Sequence, residues 1–446
     1  MKKILVVDMT HGGVIIASEL SEKYDGEVRA WDIYHTLDRD VENILTDKQI
    51  TMVDDDFIQN NKDFMVVAPA HCRLDVPVSM THHQAVGMLL ENEIDVPVIE
   101  VTGVKGKTST VAILKEIYKH QNPLILSSLG VEAVENNKVT LLMENISITP
   151  ANILKSWKTA LKYFKPGICI FETSLGGTGL ADVGVLTNLV EDYSIAQGTK
   201  RASEVKKQIF DSKMVVCEYN AFISKYPHFY SKTNTFSFFD QRANISVSEI
   251  EYGINETKFT LKVSGLKTIN GDVINTSFEV KTFAPGPYHV ENVLSAIGTA
   301  FTLETSQSDI IMGISNFNGL KGRTSIIENG NVRIVQEINP GINLTAVKKS
   351  VSMMREYGDM VLVMGGQYGV TCEEIDEKLL SEFLENMGED IFLILTDELG
   401  KSIESKIARQ KLYKKDLKDA MVAAQDLSRE NILLIYRSHF ANLQKR

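Results

Sequence analysis

The sequence predicts an α/β protein of three domains, and three observations support this fold class. Short apolar runs alternate with amphipathic stretches at helical spacing through residues 1–95 and again through residues 326–446, as in doubly wound domains. A glycine-rich loop between a buried strand and a helix marks the segment between them, residues 96–325. Finally, 446 residues are too many for one hydrophobic core. We expect Rossmann-like domains at both ends and a central P-loop domain with an antiparallel β insertion.

The N-terminal segment, residues 1–95, is expected to form a small open α/β domain. Its strands KKILVVD, VRAWDI and DFMVVAP alternate with helices such as IIASELSEKY. A ligand of such a sheet is expected beyond the carboxyl ends of its strands. Those ends carry mostly polar side chains: Asp8, Thr10, His11, Asp32, His35, His71 and Cys72. The loop THGG is not a G-x-G-x-x-G fingerprint, so the sequence does not favour a dinucleotide as the ligand.

Histidines concentrate in this first segment, which holds five of the nine in the chain: His11, His35, His71, His82 and His83. No pair has the i,i+4 spacing of a helical zinc site, so a metal site built by the protein is not favoured. Ordinary surface histidines remain one reading. The other is a substrate pocket, with His11, His35 and His71 as the substrate-binding candidates for a polyanionic ligand or a metal carried by the substrate.

The central segment opens with IEVTGVKGKTSTVAILKEIY, which predicts a phosphate-binding loop. Backbone N–H groups at the start of such a helix bind anions, Lys107 can reach a β/γ-phosphate, and the Thr108 hydroxyl can ligate Mg²⁺. No glycine lies five residues before Gly106, so the loop has the shorter form T-G-x-x-G-K-T. The sequence therefore predicts ATP or GTP binding, with these nucleotide-binding candidates: Gly103, Lys105, Gly106, Lys107, Thr108 and Ser109.

Further along the central segment, an acidic residue ends a buried strand. The strand GICIF leads directly into Glu172, at the position where a carboxylate beside a phosphate loop is expected to hold Mg²⁺. A second strand, VGVLTN, follows. From about residue 234 to 284 the apolar pattern changes to period two, which predicts the antiparallel β insertion.

The last segment repeats the βα alternation with VRIVQEI, MVLVMGG, IFLILTD and NILLIYR. Its boundary with the central segment rests on the Gly322-Arg323 turn and the change of pattern.

The composition of the chain limits the classes of partner and the cellular compartment that we expect. A net charge of −11 argues against a general nucleic-acid or anionic-membrane surface, and no run approaches the ~20 apolar residues of a membrane span. The N-terminus runs straight into a short strand and lacks the apolar core of a signal peptide. The cysteines are far apart and form no C-x-x-C, as expected for reduced thiols: Cys72, Cys169, Cys217 and Cys372. We expect a cytoplasmic monomer or homodimer that acts on a small molecule.

An ordered series of motifs over residues 99–325 resembles the Mur ligase family, which includes folylpolyglutamate synthetases. The T-G-x-x-G-K-T loop is followed by a strand-end Glu, a V-L-T-N strand, a G-T before a lysine-bearing helix, a G…N-x-x-x-A helix start and a G-R. The resemblance implies that Lys107, Thr108 and Glu172 are catalytic or bind phosphate and Mg²⁺. It places Asn292 near the adenine or ribose and Arg323 near the phosphates.

The same resemblance assigns a catalytic role to Lys206. This position fits the family lysine that is often carbamylated to hold a second Mg²⁺, and Lys207 is the adjacent alternative. Several positions depart from the family pattern. Tyr193 stands where the family often has histidine, and the N-terminal segment lacks the glycine-rich loop with which several members hold UDP. A UDP-muramoyl peptide is therefore not the expected carboxylate substrate.

The family chemistry implied by the resemblance is ATP-dependent and Mg²⁺-dependent conversion of a substrate carboxylate into an acyl phosphate. Within the family, the V-V-D-x-T-H-G-G start, the Pro-x-His-Cys segment and the Asn-Pro-Gly-Ile-Asn stretch look like the archaeal enzymes that close the last carbocycle of the nickel tetrapyrrole of methanogens. Two alternatives remain: an amide-forming peptide ligase of pseudomurein or polyglutamyl synthesis, and a P-loop kinase. A non-catalytic nucleotide-binding module is disfavoured because Lys107, Thr108 and Glu172 are all present.

Overall fold

The computed structural model describes residues 3–60, 63–369, 375–428 and 430–438, and Cys372 lies outside them. The chain forms two compact units, residues 1–317 and 318–446. Three main sheets organise the described residues, two in the first unit and one in the second. No helix in the described part of the chain combines the length and the apolar character needed to cross a bilayer.

The first sheet has five parallel strands in the order β3-β2-β1-β4-β5, which confirms the Rossmann-like prediction. The apolar run of the first strand is buried between helices on both faces of the sheet, as expected for a parallel sheet. Its strands are β1 (Lys3–Val7), β2 (Glu27–Trp31), β3 (Thr51–Val53), β4 (Phe64–Ala68) and β5 (Met80–Thr81). Its helices are a π-helical turn (Met9–Gly13), α1 (Val14–Lys23), α2 (Arg39–Asp47), α3 (Asp55–Asn60) and α4 (His82–Leu90).

The second sheet has eleven strands in the order β18-β17-β16-β15-β14-β11-β6-β10-β7-β8-β9. Its middle is parallel and both of its ends are antiparallel. Its strands are β6 (Val98–Thr102), β7 (Pro123–Ser127), β8 (Gly130–Glu135), β9 (Lys138–Met143), β10 (Ile168–Glu172), β11 (Val183–Leu186), β14 (Met214–Glu218), β15 (Thr233–Phe236), β16 (Ile245–Glu251), β17 (Thr257–Lys267) and β18 (Val273–Thr282). The predicted antiparallel insertion corresponds to β16–β18, whereas the hairpin of β8 and β9 at the opposite edge was not predicted.

Helices cover this second sheet, and a separate small hairpin consists of β12 (Ser194–Ile195) and β13 (Lys200–Arg201). The α-helices are α5 (Lys107–Ile117), α6 (Pro150–Ala160), α7 (Ala202–Lys206), α8 (Tyr219–Lys225), α9 (Pro287–Thr302) and α10 (Gln307–Ser315). Short 3₁₀ turns are Lys119–Gln121, Lys207–Asp211 and Pro227–Lys232. Apolar residues of α1, α4 and α6 share one hydrophobic core, so the first sheet and the second belong to one packed unit.

The second unit contains a six-stranded sheet in the order β19-β20-β24-β21-β22-β23, parallel except for the pair β19–β20. Its strands are β19 (Arg323–Asn329), β20 (Val332–Ile338), β21 (Met360–Gly366), β22 (Phe392–Thr396), β23 (Lys411–Lys414) and β24 (Asn431–Arg437). Its helices are α11 (Leu344–Arg355), α12 (Glu377–Glu385), α13 (Asp397–Glu404) and α14 (Leu417–Leu427). The predicted α/β alternation of this segment is confirmed.

Candidate active site

The glycine-rich loop joins β6 to α5, as predicted, and its two glycines have backbone angles that suit only glycine. Gly103 has φ +141° and Gly106 has φ +88°. A Cβ atom on Gly106 would lie 2.1 Å from Oδ1 of Asn292, in the first turns of α9. The loop therefore packs directly against Asn292, which the structure brings to the nucleotide-binding candidates from a distant part of the sequence.

Two residues at the end of the neighbouring strand β11 hold the loop from its other side. The Asn188 side chain accepts a hydrogen bond from Lys105 N at 3.2 Å and donates to Lys105 O at 3.0 Å. The Thr187 hydroxyl donates to the same carbonyl at 2.6 Å, and Val104 N donates to Asn188 O at 3.1 Å. These bonds give the V-L-T-N strand a physical role, because they fix the backbone that precedes the helix N-terminus.

Two side-chain oxygen donors, one from α5 and one from the end of β10, lie together beside the loop. The Thr108 hydroxyl donates to Oε1 of Glu172 at 3.1 Å, and the backbone N–H of Ser128 donates to Oε2 at 3.0 Å. Glu172 is only 2% exposed. A hydroxyl and a carboxylate side by side are the hard oxygen donors that Mg²⁺ prefers, so these residues fit that ion. Ser128 was missed by the sequence reasoning, although it follows the end of β7, the strand beside β10.

Two further loop candidates lie at the same helix start. The Lys107 ammonium donates to the carbonyl of Gly103 at 3.1 Å and to that of Val104 at 3.4 Å, so this side chain lies along the loop. Ser109 is half-buried in the first turn of α5. Arg323, the last nucleotide-binding candidate, begins β19 in the second unit.

Lys206 is completely buried at the end of α7. Its Nζ atom donates to Ser174 O at 2.5 Å and lies 3.4 Å from the Thr102 hydroxyl. Burial, and next the charge of Lys107, lower the pKa of the Lys206 amine well below its usual value. A neutral amine is the form that reacts with CO₂, so the carbamylation implied by the resemblance fits Lys206. Lys207, the alternative, is exposed beside the Phe229 ring.

Asp192 positions the short helix that carries Lys206. Its carboxylate accepts hydrogen bonds from the backbone N–H and the hydroxyl of Ser203, both at 2.8 Å, and from Lys225 at 3.2 Å. Although burial acts in the opposite direction, these bonds lower the pKa of Asp192. The helix is thus anchored at its first turn by a charged acceptor.

Glu100 is a buried carboxyl group that the sequence reasoning did not single out. It lies in the middle of β6 and accepts hydrogen bonds from the backbone N–H of Thr178, at 2.8 Å, and from the Thr178 hydroxyl. Burial raises the pKa of Glu100 to about 7. An acidic residue inside the apolar run VIEV is the only sequence signal that could have indicated it.

A second cluster lies at the carboxyl end of β1, in the first sheet. Asp8 is fully buried, and its carboxylate lies 2.8 Å from Nδ1 of His11 and 3.3 Å from Nε2 of His71. Backbone N–H groups of Thr10 and His11 donate to the same carboxylate, both at 3.1 Å. Asp8, His11 and His71 place one potential ligand atom each within 4.8 Å of one another, a group suited to a metal ion.

The electrostatics of this cluster follow from the buried carboxylate. Hydrogen bonding to Asp8 raises the pKa of His71 to about 9, with a further contribution from Cys72. Burial opposes ionisation of Asp8, but the contacts with His71 and His11 outweigh it and lower the Asp8 pKa. The Cys72 thiol lies 3.9 Å from Asp8 and 3.5 Å from the Tyr34 hydroxyl.

The other three histidines of this segment are not part of this potential metal-binding group. His82 and His83 are buried in the first turn of α4, and burial lowers their pKa values to about 4 and about 3. His82 Nε2 donates to the carbonyl of Val7, a structural role. His35 is exposed in the loop after β2, and the potential metal-binding group does not include it.

The amino-acid sequence of the chain is similar to a known protein family and to individual known enzymes. Residues 326–439 match the family model described as "Coenzyme F430 synthetase CfbE, C-terminal domain". The chain is similar to the coenzyme F(430) synthetase of Methanosarcina acetivorans, at 26% identity over 97% of this chain and 98% of that protein. It is also similar to the coenzyme F(430) synthetase of Methanocaldococcus jannaschii, at 29% identity over 90% of this chain and 92% of that protein.

Among solved structures, the chain is similar to the MurF ligase of Thermotoga maritima in complex with ADP, with a TM-score of 0.60. The sequence identity is 14%, and the match covers 95% of each chain. The resemblance to Mur ligases noted from the motifs is therefore confirmed at the level of the fold.

Proposed function

We propose that this chain is an ATP-dependent, ADP-forming ligase that catalyses the coenzyme F(430) synthetase reaction. In this reaction a propionate side chain of a nickel seco-tetrapyrrole is activated and closed into the final carbocyclic ring. One structural observation supports the ligase assignment. The phosphate loop, the Thr108–Glu172 oxygen pair and the buried Lys206 lie together at the carboxyl ends of the inner strands of the second sheet. The two relatives named as coenzyme F(430) synthetases, which align over most of the chain, support the specific substrate.

The loop residues bind and position the nucleotide. The loop N–H groups and the Lys107 ammonium hold the β- and γ-phosphates of ATP. Thr108 and Glu172 would hold Mg²⁺, which supplies charge neutralisation at the phosphates. Asn292, which packs against Gly106, is proposed to contact the adenine or ribose of the nucleotide. Lys206, as its carbamate, is the proposed ligand of a second Mg²⁺.

The reaction then proceeds in two steps. A carboxylate oxygen attacks the γ-phosphorus of ATP, which forms the acyl phosphate and releases ADP. A carbon atom of the macrocycle then loses a proton and attacks the acyl carbon, which forms the C–C bond and expels inorganic phosphate. Preorganised donors at the loop are each worth roughly 10²–10³ in rate in sites of this kind.

The first sheet is the proposed substrate domain. The carboxyl ends of its strands are where ligands of open α/β sheets bind, and they carry the cluster of Asp8, His11 and His71 in place of a UDP-binding loop. We propose that the enzyme acts in the cytoplasm, where ATP is available, and our prediction of a monomer or homodimer is unchanged.

The test is a reconstitution with ATP, Mg²⁺ and the nickel seco-tetrapyrrole. We expect a product lighter by one water, with ADP and inorganic phosphate released in equal amounts. Lys107→Ala should abolish product formation, whereas Lys138→Ala, an exposed lysine of β9, should leave it unchanged. Release of AMP and pyrophosphate would exclude the acyl phosphate. Product formation only when an amine is added would favour the amide-forming alternative.

A further inference from the structure

We propose that His11 is the protein's axial ligand to the nickel ion of the substrate, bound through its Nε2 atom. The inference rests on the proposed function, because the nickel is part of the tetrapyrrole and not a resident cofactor. It assigns to one residue the recognition of the metal, while other parts of the domain recognise the macrocycle and its carboxylates.

A hydrogen bond to the buried Asp8 carboxylate orients the His11 ring. Nδ1 lies 2.8 Å from Oδ2 and 3.0 Å from Oδ1 of Asp8. A carboxylate can only accept, so Nδ1 carries the proton and the lone pair is on Nε2, at the opposite side of the ring. Metal-binding histidines commonly show this carboxylate–histidine arrangement, which fixes the tautomer and makes the ligating nitrogen more basic.

The His11 side chain is held in place by its neighbours, yet its ring stays accessible. The Asp8 side chain is 0% exposed and that of His11 is 47% exposed. His71 and Tyr34 contact the His11 ring edge-on, with centroids 5.0 and 5.5 Å away. Two ring contacts and one charged hydrogen bond fix the direction of the ring, as a metal ligand requires.

The backbone that carries His11 is also fixed in position. The π-helical turn Met9–Gly13 follows β1 directly and places His11 at the carboxyl end of the central strand of the sheet. Within it Gly12 has φ +105°, and a Cβ atom there would lie 2.5 Å from Cβ of Ala151 in α6. The turn is therefore packed against α6, which covers the second sheet. Contacts with elements of both sheets of the first unit thus fix the position of His11.

His71 is the alternative ligand in the same cluster, and its contacts make it the weaker candidate. Its Nε2 atom is buried and faces Asp8 at 3.3 Å, so this nitrogen is not directed at an accessible ligand. Its side chain is 33% exposed, less than that of His11. Flat nickel tetrapyrroles leave only the axial positions open, so one well-oriented imidazole on one face is what the geometry requires.

The experiment measures binding of the nickel seco-tetrapyrrole without ATP, by titration and by nickel K-edge X-ray absorption. The wild-type complex should show the scattering of an imidazole ligand. His11→Gln keeps a donor for Asp8 but has no imidazole, so it should lose this scattering and bind the nickel compound at least about tenfold more weakly. Binding of the metal-free tetrapyrrole should be the same for both proteins.

Control variants distinguish a failure of the nickel-ligand proposal from a failure of the proposed function. His120→Ala, at an exposed histidine in the turn Lys119–Gln121, should behave as wild type in every assay. His11→Ala, with unchanged ATP binding as the check of folding, should repeat the result of His11→Gln. Imidazole scattering that persists in the His11 variants would overturn the inference, as would equal weakening for the metal-free compound. Tight binding of NiCl₂ alone at this cluster would also overturn it. If wild type binds no nickel tetrapyrrole, the proposed function itself fails.

Discussion

Replacing Gly106 by alanine tests the loop geometry on which ATP binding depends. Gly106 has φ +88°, a left-handed conformation that costs a residue with a Cβ atom about 1–2 kcal/mol. The new Cβ atom would also lie 2.1 Å from Asn292 Oδ1. Overpacking of this kind typically costs about 1–3 kcal/mol. We therefore expect Gly106→Ala to lower the free energy of unfolding by about 2–5 kcal/mol.

A matched control separates backbone strain from the steric overlap. Gly271, in the turn between β17 and β18, has φ +94°, and a Cβ atom there meets nothing within 4 Å. Gly271→Ala should therefore lose only the backbone part, about 1–2 kcal/mol. The difference between the two variants measures the contact of the loop with Asn292. Asn292→Ala in the Gly106→Ala background should recover part of that difference, since it removes the overlap but not the strain.

The functional effect follows from the same geometry. The overlap is relieved either by movement of the loop or by rotation of Asn292, and both change the site by about 1 Å, a displacement that can cost about 10²-fold in rate. Urea unfolding followed by far-UV circular dichroism measures stability, and calorimetric titration with ATP together with the rate of ADP release measures function. A Gly106→Ala variant that matched Gly271→Ala in stability and bound ATP as wild type does would refute the proposed packing of the loop against Asn292.

Three other outcomes are expected. Glu172→Gln should lower the rate of ADP formation by about 10²–10³ with little loss of structure, and an unchanged rate would contradict the assigned role. Removal of CO₂ and bicarbonate should lower the activity if the Lys206 amine, whose pKa is lowered by burial, works as a carbamate, and bicarbonate should restore it. The pKa of Glu100 is raised from 4.5 to about 7, so between these pH values the native state binds more protons than the unfolded state. The free energy of unfolding should therefore fall as the pH rises from 4.5 to about 7, by at most about 3 kcal/mol. Glu100→Gln, which can still bond Thr178, should remove the Glu100 part of this pH dependence of the urea midpoint, while Glu337, whose pKa burial also raises to about 7, keeps its own part.

Those features that depend on a local sequence pattern could be predicted from the sequence. A buried strand, a T-G-x-x-G-K-T loop and an amphipathic helix specify a helix N-terminus that faces an anion, and the structure has this arrangement at Lys107. Glu172 was predictable because parallel strands end at one edge of the sheet. The antiparallel insertion was predictable from its period of two.

Contacts that depend on strand order were not predictable from local patterns. Ser128 reaches Glu172 only because β7 lies beside β10, and the burial of Glu100 depends on the loop after β10 folding over β6. The hairpin of β8 and β9 was missed because KVTLLM at the sheet edge is mostly exposed and lacks strict alternation. The burial of His82 was also not predictable from the sequence, because it depends on Thr81 capping α4 so that His82 turns into the core.

Isotopic labelling of oxygen atoms tests whether the reaction passes through an acyl phosphate. In the acyl-phosphate mechanism, a carboxylate oxygen of the substrate attacks the γ-phosphorus of ATP and leaves with the phosphate. A nickel seco-tetrapyrrole labelled with ¹⁸O in the propionate carboxylate should therefore yield inorganic phosphate that contains one ¹⁸O atom per product molecule, as measured by mass spectrometry. Unlabelled phosphate, formed together with the cyclised product, would contradict the acyl-phosphate mechanism.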